Sequence, residues 1–218
     1  MTRPIYFRLL LAFLVPLLFS CDPHEEPAKA LPPFDLVSAN GPMTFHLVTG
    51  ATNQVISTSL LEQEYNVGGG TLQINGVGSM TIAVKDINQF FCNGCTIKND
   101  GELVADTLNM TVHGGTVKLS DVTITGWLGI NSVNLGSHKF SGSAGFFYVT
   151  TTNLSAIEAY DLVTDSVYVN SNSISEAKVN ARQVVNVFIN SIGSVRYKGN
   201  PPIVRLTKTG SGNLIKAD

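Results

Sequence analysis

Charge is scarce in this sequence. Only 14% of its 218 residues are charged, and the formal net charge is −2. No basic stripe runs along the chain, so nucleic-acid binding has no electrostatic footprint. Glu and Lys, which favour helices, are sparse, and only Ser59 to Tyr65 (SLLEQEY) looks helical, for barely two turns. No apolar run reaches the roughly twenty residues that a membrane-spanning helix needs. The three cysteines and four histidines do not assemble a zinc site. That metal takes four ligands, there is no second cysteine pair, and His113 and His138 are isolated. No Gly-x-Ser-x-Gly elbow precedes a helix. Gly68-Gly69-Gly70 lacks the Lys-Ser or Lys-Thr that would make it a phosphate cradle, so it reads as a turn. No cofactor and no metal are expected.

What fills the chain instead is Gly, at 20 copies, with abundant Ser, Thr, Asn and Val. That mixture favours strands and turns. From Phe34 onward, short β-like runs are punctuated by Gly, Asn, Ser and Asp: Met43 to Val48, Thr71 to Ile74, Met80 to Val84, Leu108 to His113, Phe146 to Thr150, Val184 to Ile189 and others. In TVKLSDVTIT, Val117, Leu119, Val122 and Ile124 are placed to face inward, with Lys118 and Thr123 toward water. The chain is all-β.

The first twenty residues read as an export signal. Arg3 and Arg8 form a positive start, and Leu9 to Phe19 is an apolar run of eleven residues, too short to span a bilayer. The run ends in Leu18-Phe19-Ser20-Cys21, which resembles the lipobox of bacterial lipoproteins. That resemblance implies cleavage before Cys21, with acyl chains on its sulfur and its new amine, and two or more chains anchor stably. The expected organisation is a leader over 1–20, a lipidated Cys21 with a flexible Pro-rich tether over 21–33, and one domain over 34–218. The setting is the cell envelope, facing either the periplasm or the surface, with the leaflet left open.

A repeat appears in the second half. Tyr148-Val149-Thr150, Tyr168-Val169-Asn170 and Phe188-Ile189-Asn190 recur every twenty residues, as do Leu154 and Ile174, while Ile157-Glu158-Ala159 matches Val179-Asn180-Ala181 at twenty-two. A period near twenty is what a coil of three short strands requires. The expectation is a single right-handed parallel β-helix in which Tyr148, Tyr168 and Phe188 form one column and Thr150, Asn170 and Asn190 another. An antiparallel sandwich is the competing architecture.

The C-terminal stretch resembles a known family. Gly193, Val195, Tyr197, Gly199 and Pro201 fit the Gly-x-Val-x-Tyr-x-Gly-x-Pro ending of the head GIN domain, the auto-transporter adhesin family, and Gly210-Ser211-Gly212 fits the signature that follows. Residues 34–55 and 68–75 are similar to the family's opening strands. The family's Ser-Gly-x-Gly turns are degraded here, as at Gly114-Gly115 and Ser141-Gly142-Ser143. The resemblance implies a β-helical fold, an envelope setting and an adhesin-like role.

Chemistry-bearing constellations are few. Cys92-Asn93-Gly94-Cys95 sits between strand-like segments with no helix to depress a thiol pKa, which disfavours redox chemistry; a local disulfide and a pair of structural thiols both remain open. Glu158, Asp161 and Asp165 lie close in sequence, as do Asp100, Glu102 and Asp106. One turn of the repeat would bring Arg182 near Asp161 and Asp165, the minimum for a polysaccharide lyase. Solvated turns explain the same acids. Phe146-Phe147-Tyr148 is the densest aromatic stretch; if Phe146 and Tyr148 point inward, Phe147 is left outside to meet a sugar or a partner, while core packing or shielding of a coil end accounts for the same residues. The function expected is a non-enzymatic, adhesin-like binding or structural module that meets a glycan or an envelope protein and holds the membrane through its lipid, with no nucleic acid as partner. A polysaccharide-active enzyme and an assembly scaffold are the alternatives, and the oligomeric state is left open.

Overall fold

The computed structural model describes residues 26–218. The expected leader and Cys21 lie outside the described residues. Fourteen strands form one sheet. They are β1 (Glu26–Pro27), β2 (Leu36–Asn40), β3 (Met43–Thr49), β4 (Gln54–Thr58), β5 (Tyr65–Gly68), β6 (Thr71–Asn75), β7 (Gly78–Val84), β8 (Asp86–Asn93), β9 (Thr96–Asn99), β10 (Leu103–Ser173), β11 (Ala177–Ile189), β12 (Val195–Lys198), β13 (Ile203–Lys208) and β14 (Leu214–Lys216). The stretch that looks helical contributes one 3-10 turn, Glu62–Glu64. Among the described residues no helix is long and apolar enough to cross a membrane.

Two-residue alternation builds the core. Val37 and Ala39 of β2 point inward, as do Met43, Phe45 and Leu47 of β3, while their sequence neighbours face out. Val117, Leu119, Val122 and Ile124 are all at most 1% exposed. Leu119 and Val122 are three apart, an odd spacing that a straight strand cannot keep on one face. Asp121 resolves it by taking φ +55 at the corner. Asn134 (φ +73) and Asn153 (φ +57) turn later corners in the same way, and Asp and Asn are the side chains that tolerate this conformation best. Inside, Phe45 meets Phe90 edge-on at 4.9 Å and Phe140 meets Phe147 at 5.2 Å.

The single parallel β-helix does not hold. The sheet is mixed and curls into a half-barrel, and two observations overturn the regular architecture. First, the passes of the chain are not stacked in sequence order. β2 lies between β6 and β8, and β3 lies between β7 and β9, so the first pass is inserted between later ones. Second, β4 runs antiparallel to β7, β1 antiparallel to β4, and β5 antiparallel to β6. Covering β6 and β7 in this way removes edges that would otherwise recruit other strands. The repeat near twenty lies in the second half alone, so it carried no information about these strands.

The expected three-residue column fails for a local reason. Glu158 pairs with Lys178, an offset of twenty, but Ser166 pairs with Val184, an offset of eighteen. β11 therefore rounds the corner with two fewer residues than β10. An even slip preserves which side chains face inward, yet it moves Phe188 beside Asn170 and leaves Asn186 beside Tyr168. Tyr148 and Tyr168 stack; Phe188 is not in their column. Ile157 likewise pairs with Ala177 rather than Val179. The amides still find each other: Asn190 Nδ2 donates to Asn170 Oδ1 at 3.3 Å, and Thr209 Oγ1 donates to Asn190 Oδ1 at 2.9 Å.

Of the segment read as a tether, residues 26–31 lie on the domain. Ala28 N donates to Ile56 O at 3.1 Å and Lys29 Nζ to Glu62 O at 2.7 Å, with Ala28 and Leu31 packed against the core. A cavity of about 340 Å³ lies between this segment and β4.

Candidate functional site

One outer face of the sheet gathers the exposed rings. It is formed by β8, the stretches of β10 that follow it, and the second half of β11. Phe147 points inward and is fully buried, so its neighbours Phe146 and Tyr148 point out, the reverse of the orientation that would have exposed Phe147. Trp127, 53% exposed, packs on Phe146 with ring centroids 4.4 Å apart. Tyr148 stacks on Tyr168 at 5.1 Å with an interplanar angle of 3°. Successive passes of a parallel sheet lie about 4.8 Å apart, so rings at equivalent positions stack face to face.

Beside Tyr148 the surface dips. A depression of about 290 Å³ is bounded by Tyr148 and the side chains of Asn88, Asn109, Thr111 and Asn131, with Gly129 at its floor. A Cβ at Gly129 would collide with the Asn109 amide; the missing side chain is what opens the dip. Rings flanked by amides and hydroxyls suit a ligand with apolar faces and polar edges, which is the chemistry of a sugar ring.

The acids expected to mark a lyase are dispersed. Glu158 binds Lys178 (2.8 Å) and Glu176 binds Arg196 (2.5 Å), each pair one pass apart. These pairs hold Lys178 and Arg196 above their ordinary pKa values, chiefly through the hydrogen bonds to the carboxylates. Asp161, Asp165 and Arg182 are exposed, and among the described residues no ion pair joins them. Asp100 is taken by His46 at 2.6 Å, and Asp106 accepts a hydrogen bond from Thr125. Among the described residues no group of His, Cys, Asp and Glu could hold a metal.

His138 is the polar group the sequence hid. It is 1% exposed, and burial pushes its pKa down to about 4. The Val117 amide donates to its Nδ1 at 3.2 Å, so the ring proton sits on Nε2, 2.6 Å from Ser132 Oγ. Ser132 in turn donates to Ser155 at 2.8 Å. A serine nucleophile needs the opposite polarity, an Nε2 free to accept and an acid on Nδ1. This contact is a structural chain inside the sheet. A Ser at 132, inward-facing and six residues before a His, was its faint sequence signal.

Cys92 and Cys95 are both buried and meet across Asn93-Gly94, with Cα atoms 6.0 Å apart. That is the separation at which a disulfide closes without backbone movement. Leu154 and Ile174, matched in the repeat, are both exposed. With Leu135 and Ile192 they line a corner as four aliphatic side chains, 50–66% exposed.

Residues 33–201 match the family described as "Putative auto-transporter adhesin, head GIN domain". The chain belongs to this family. Its head GIN ending is visible in the fold: Val195 is fully buried, Tyr197 packs against the core, and Gly199 turns at φ +92. Among solved structures, the head GIN domain is similar to a putative adhesin from Bacteroides fragilis, with a TM-score of 0.69 and 21% identity over 86% of this chain and 94% of the other. It is also similar to a putative lipid binding protein from Parabacteroides distasonis (TM-score 0.60, 16% identity, 89% and 96% covered). A putative adhesin from Parabacteroides merdae gives a TM-score of 0.60 at 14% identity, with 87% and 94% covered. At these identities the likeness shows the fold alone. No curated protein matches the chain.

Proposed function

We propose that this head GIN domain is a non-enzymatic, adhesin-like module that binds a glycan across its aromatic face, displayed in the cell envelope from a lipid on Cys21. The observation that carries the reading is the pair of outward ring stacks, Trp127–Phe146 and Tyr148–Tyr168, beside a depression lined with amides. The family's adhesin description supports binding over catalysis, as do the dispersed acids and the inverted Ser132–His138 polarity. A glycan array read with the full chain tests it. Tyr148→Ala and Trp127→Ala are expected to weaken the bound glycan at least tenfold, about 1.4 kcal/mol, because buried rings dominate such contacts. A blank array, or unchanged binding in both variants, refutes the reading. Mass spectrometry of the mature N-terminus tests the anchor: an unmodified Cys21, or a start elsewhere, rules it out.

The corner of Leu135, Leu154, Ile174 and Ile192 favours a second reading, contact with lipid. The neighbour described as a putative lipid binding protein points the same way. Flotation of the chain with neutral vesicles, lost in Leu154→Ser, would establish it.

A further inference from the structure

A second outer face, independent of the aromatic one, carries a short repeat that only the register reveals. β9 begins Thr96-Ile97-Lys98, and the adjoining stretch of β10 reads Thr116-Val117-Lys118; Thr96 pairs with Thr116 and Lys98 with Lys118. The next pass reads Ser137-His138-Lys139. His138 and Val117 both point inward and the His138 ring accepts from the Val117 amide; from this contact and the alternation we place Ser137 beside Thr116 and Lys139 beside Lys118. On the other side, Thr44 and His46 of β3 pair with Thr96 and Lys98. Two columns therefore run side by side across the passes, hydroxyls at 44, 96, 116 and 137, and cations at 98, 118 and 139.

The acids that flank this row already have partners, Asp100 at the near end against His46. Glu158 binds Lys178, and Glu176 binds Arg196. Lys98, Lys118 and Lys139 have no ion pair among the described residues. Lys118 and Lys139 are exposed and Lys98 half-buried. Three like charges stacked about 4.8 Å apart repel one another, and a chain whose net charge is −2 has enough acids to have neutralised them. The row is a concentrated positive strip on an otherwise acidic molecule.

We propose that this strip binds a linear polyuronate, a polysaccharide with one carboxylate on each sugar ring. Each pass of the sheet offers one ammonium for a carboxylate and one hydroxyl for a ring hydroxyl, and the spacing between passes approximates the length of one sugar. The strip is one side chain wide and crosses adjacent passes, so it fits a single extended polymer better than a duplex, which presents two phosphate rows. Thr96, Thr116 and Ser137 supply hydrogen-bonding positions that a fluid phosphate surface would not need.

The test titrates the full chain with polygalacturonate by calorimetry, with the methyl-esterified polymer as the uncharged control. Binding is expected for the acid form alone, and to weaken steeply between about 50 and 200 mM salt as counterion release demands. The triple variant Lys98→Gln, Lys118→Gln, Lys139→Gln should lose at least tenfold, and the matching triple Lys→Arg should retain binding. Thr116→Val should lose part of the affinity at unchanged salt dependence. Lys216→Gln, on the last strand and away from the strip, should bind as the parent does. The esterified control and the salt dependence separate this strip from the aromatic face, whose uncharged rings would hold both forms of the polymer alike. Equal binding of the esterified polymer, undiminished binding by the Gln triple, or no binding at all overturns the proposal. So does tighter lysine-dependent binding of single-stranded DNA or of vesicles containing phosphatidylserine.

Discussion

Lowering the pH should unlock the sheet through one residue. His138 is neutral in the folded protein, with its pKa down at about 4 because burial disfavours the imidazolium. In the unfolded chain a histidine titrates near 6.5. Between those values the unfolded state binds a proton that the folded state refuses. Stability from this residue is therefore fully present above about pH 6.5 and declines as the pH falls toward 4. The size follows from the gap: about 2 kcal/mol is lost by pH 5 and about 3 kcal/mol by pH 4. Protonation would also break the Val117 contact, since Nδ1 could no longer accept. Urea unfolding at pH 7, 6, 5 and 4 measures the slope, and His138→Gln, which does not titrate, should flatten it by this amount relative to the parent. The carboxylates contribute equally to both proteins and cancel in the comparison. If the two slopes coincide, or if the resonance lost in His138→Gln titrates near pH 6.5 in the folded parent, the expectation for His138 fails.

Other outcomes follow from single positions. Gly142 has φ +116, and a Cβ there would run into the main chain of Val122; Gly142→Ala should cost roughly 2 kcal/mol or more in urea unfolding, and a cost below about 0.5 kcal/mol contradicts the corner geometry. Cys92 and Cys95 should resist alkylation in the unreduced, denatured protein. Because the loop they would close is so short, replacing both with Ser should cost no more than about 2 kcal/mol. Full alkylation without reductant would show that they are thiols.

How much of this was legible depended on the distance over which the information acts. The inward positions of Val117, Leu119, Val122 and Ile124 follow from neighbours alone, and those were readable. So was the head GIN ending, because Val195, Tyr197 and Gly199 sit in one local turn and strand. The order of passes was not. Nothing in Leu36–Thr49 announces that it will insert between Thr71–Val84 and Asp86–Asn99, since every inward face there is apolar and would accept the others. The period near twenty misled for a similar reason. Tyr168 and Phe188 share a spacing and an outward face, but a corner shortened by two residues between them shifts the pairing without changing either property. The lysine row was invisible because its members lie twenty and twenty-one residues apart, where a scan for local charge runs finds single lysines.

That division also says where function can vary in this family. The side chains that set the fold are the inward ones, and they need only be apolar and of compatible size to fill the curled sheet. Solved structures at 14–21% identity share this fold, so the fold tolerates change at most individual residues. The outward columns carry no such constraint: Thr111, Asn131 or Tyr148 could each be exchanged at little cost to stability. Under the proposed binding role, specificity resides in how outward columns align, and alignment is governed by the length of each corner. A two-residue deletion between Glu158 and Ser166 would restore an offset common to β10 and β11 on both sides of the corner. The inward pattern would be preserved, because the slip is even. Every outward side chain of β10 before that corner would keep its partners on β8 and β9, while the corner itself would match its neighbour in β11. Such a variant should fold, and should retain polygalacturonate binding at Lys98, Lys118 and Lys139, which lie before the deletion. Loss of that binding would mean that corners transmit strain across passes rather than setting register locally.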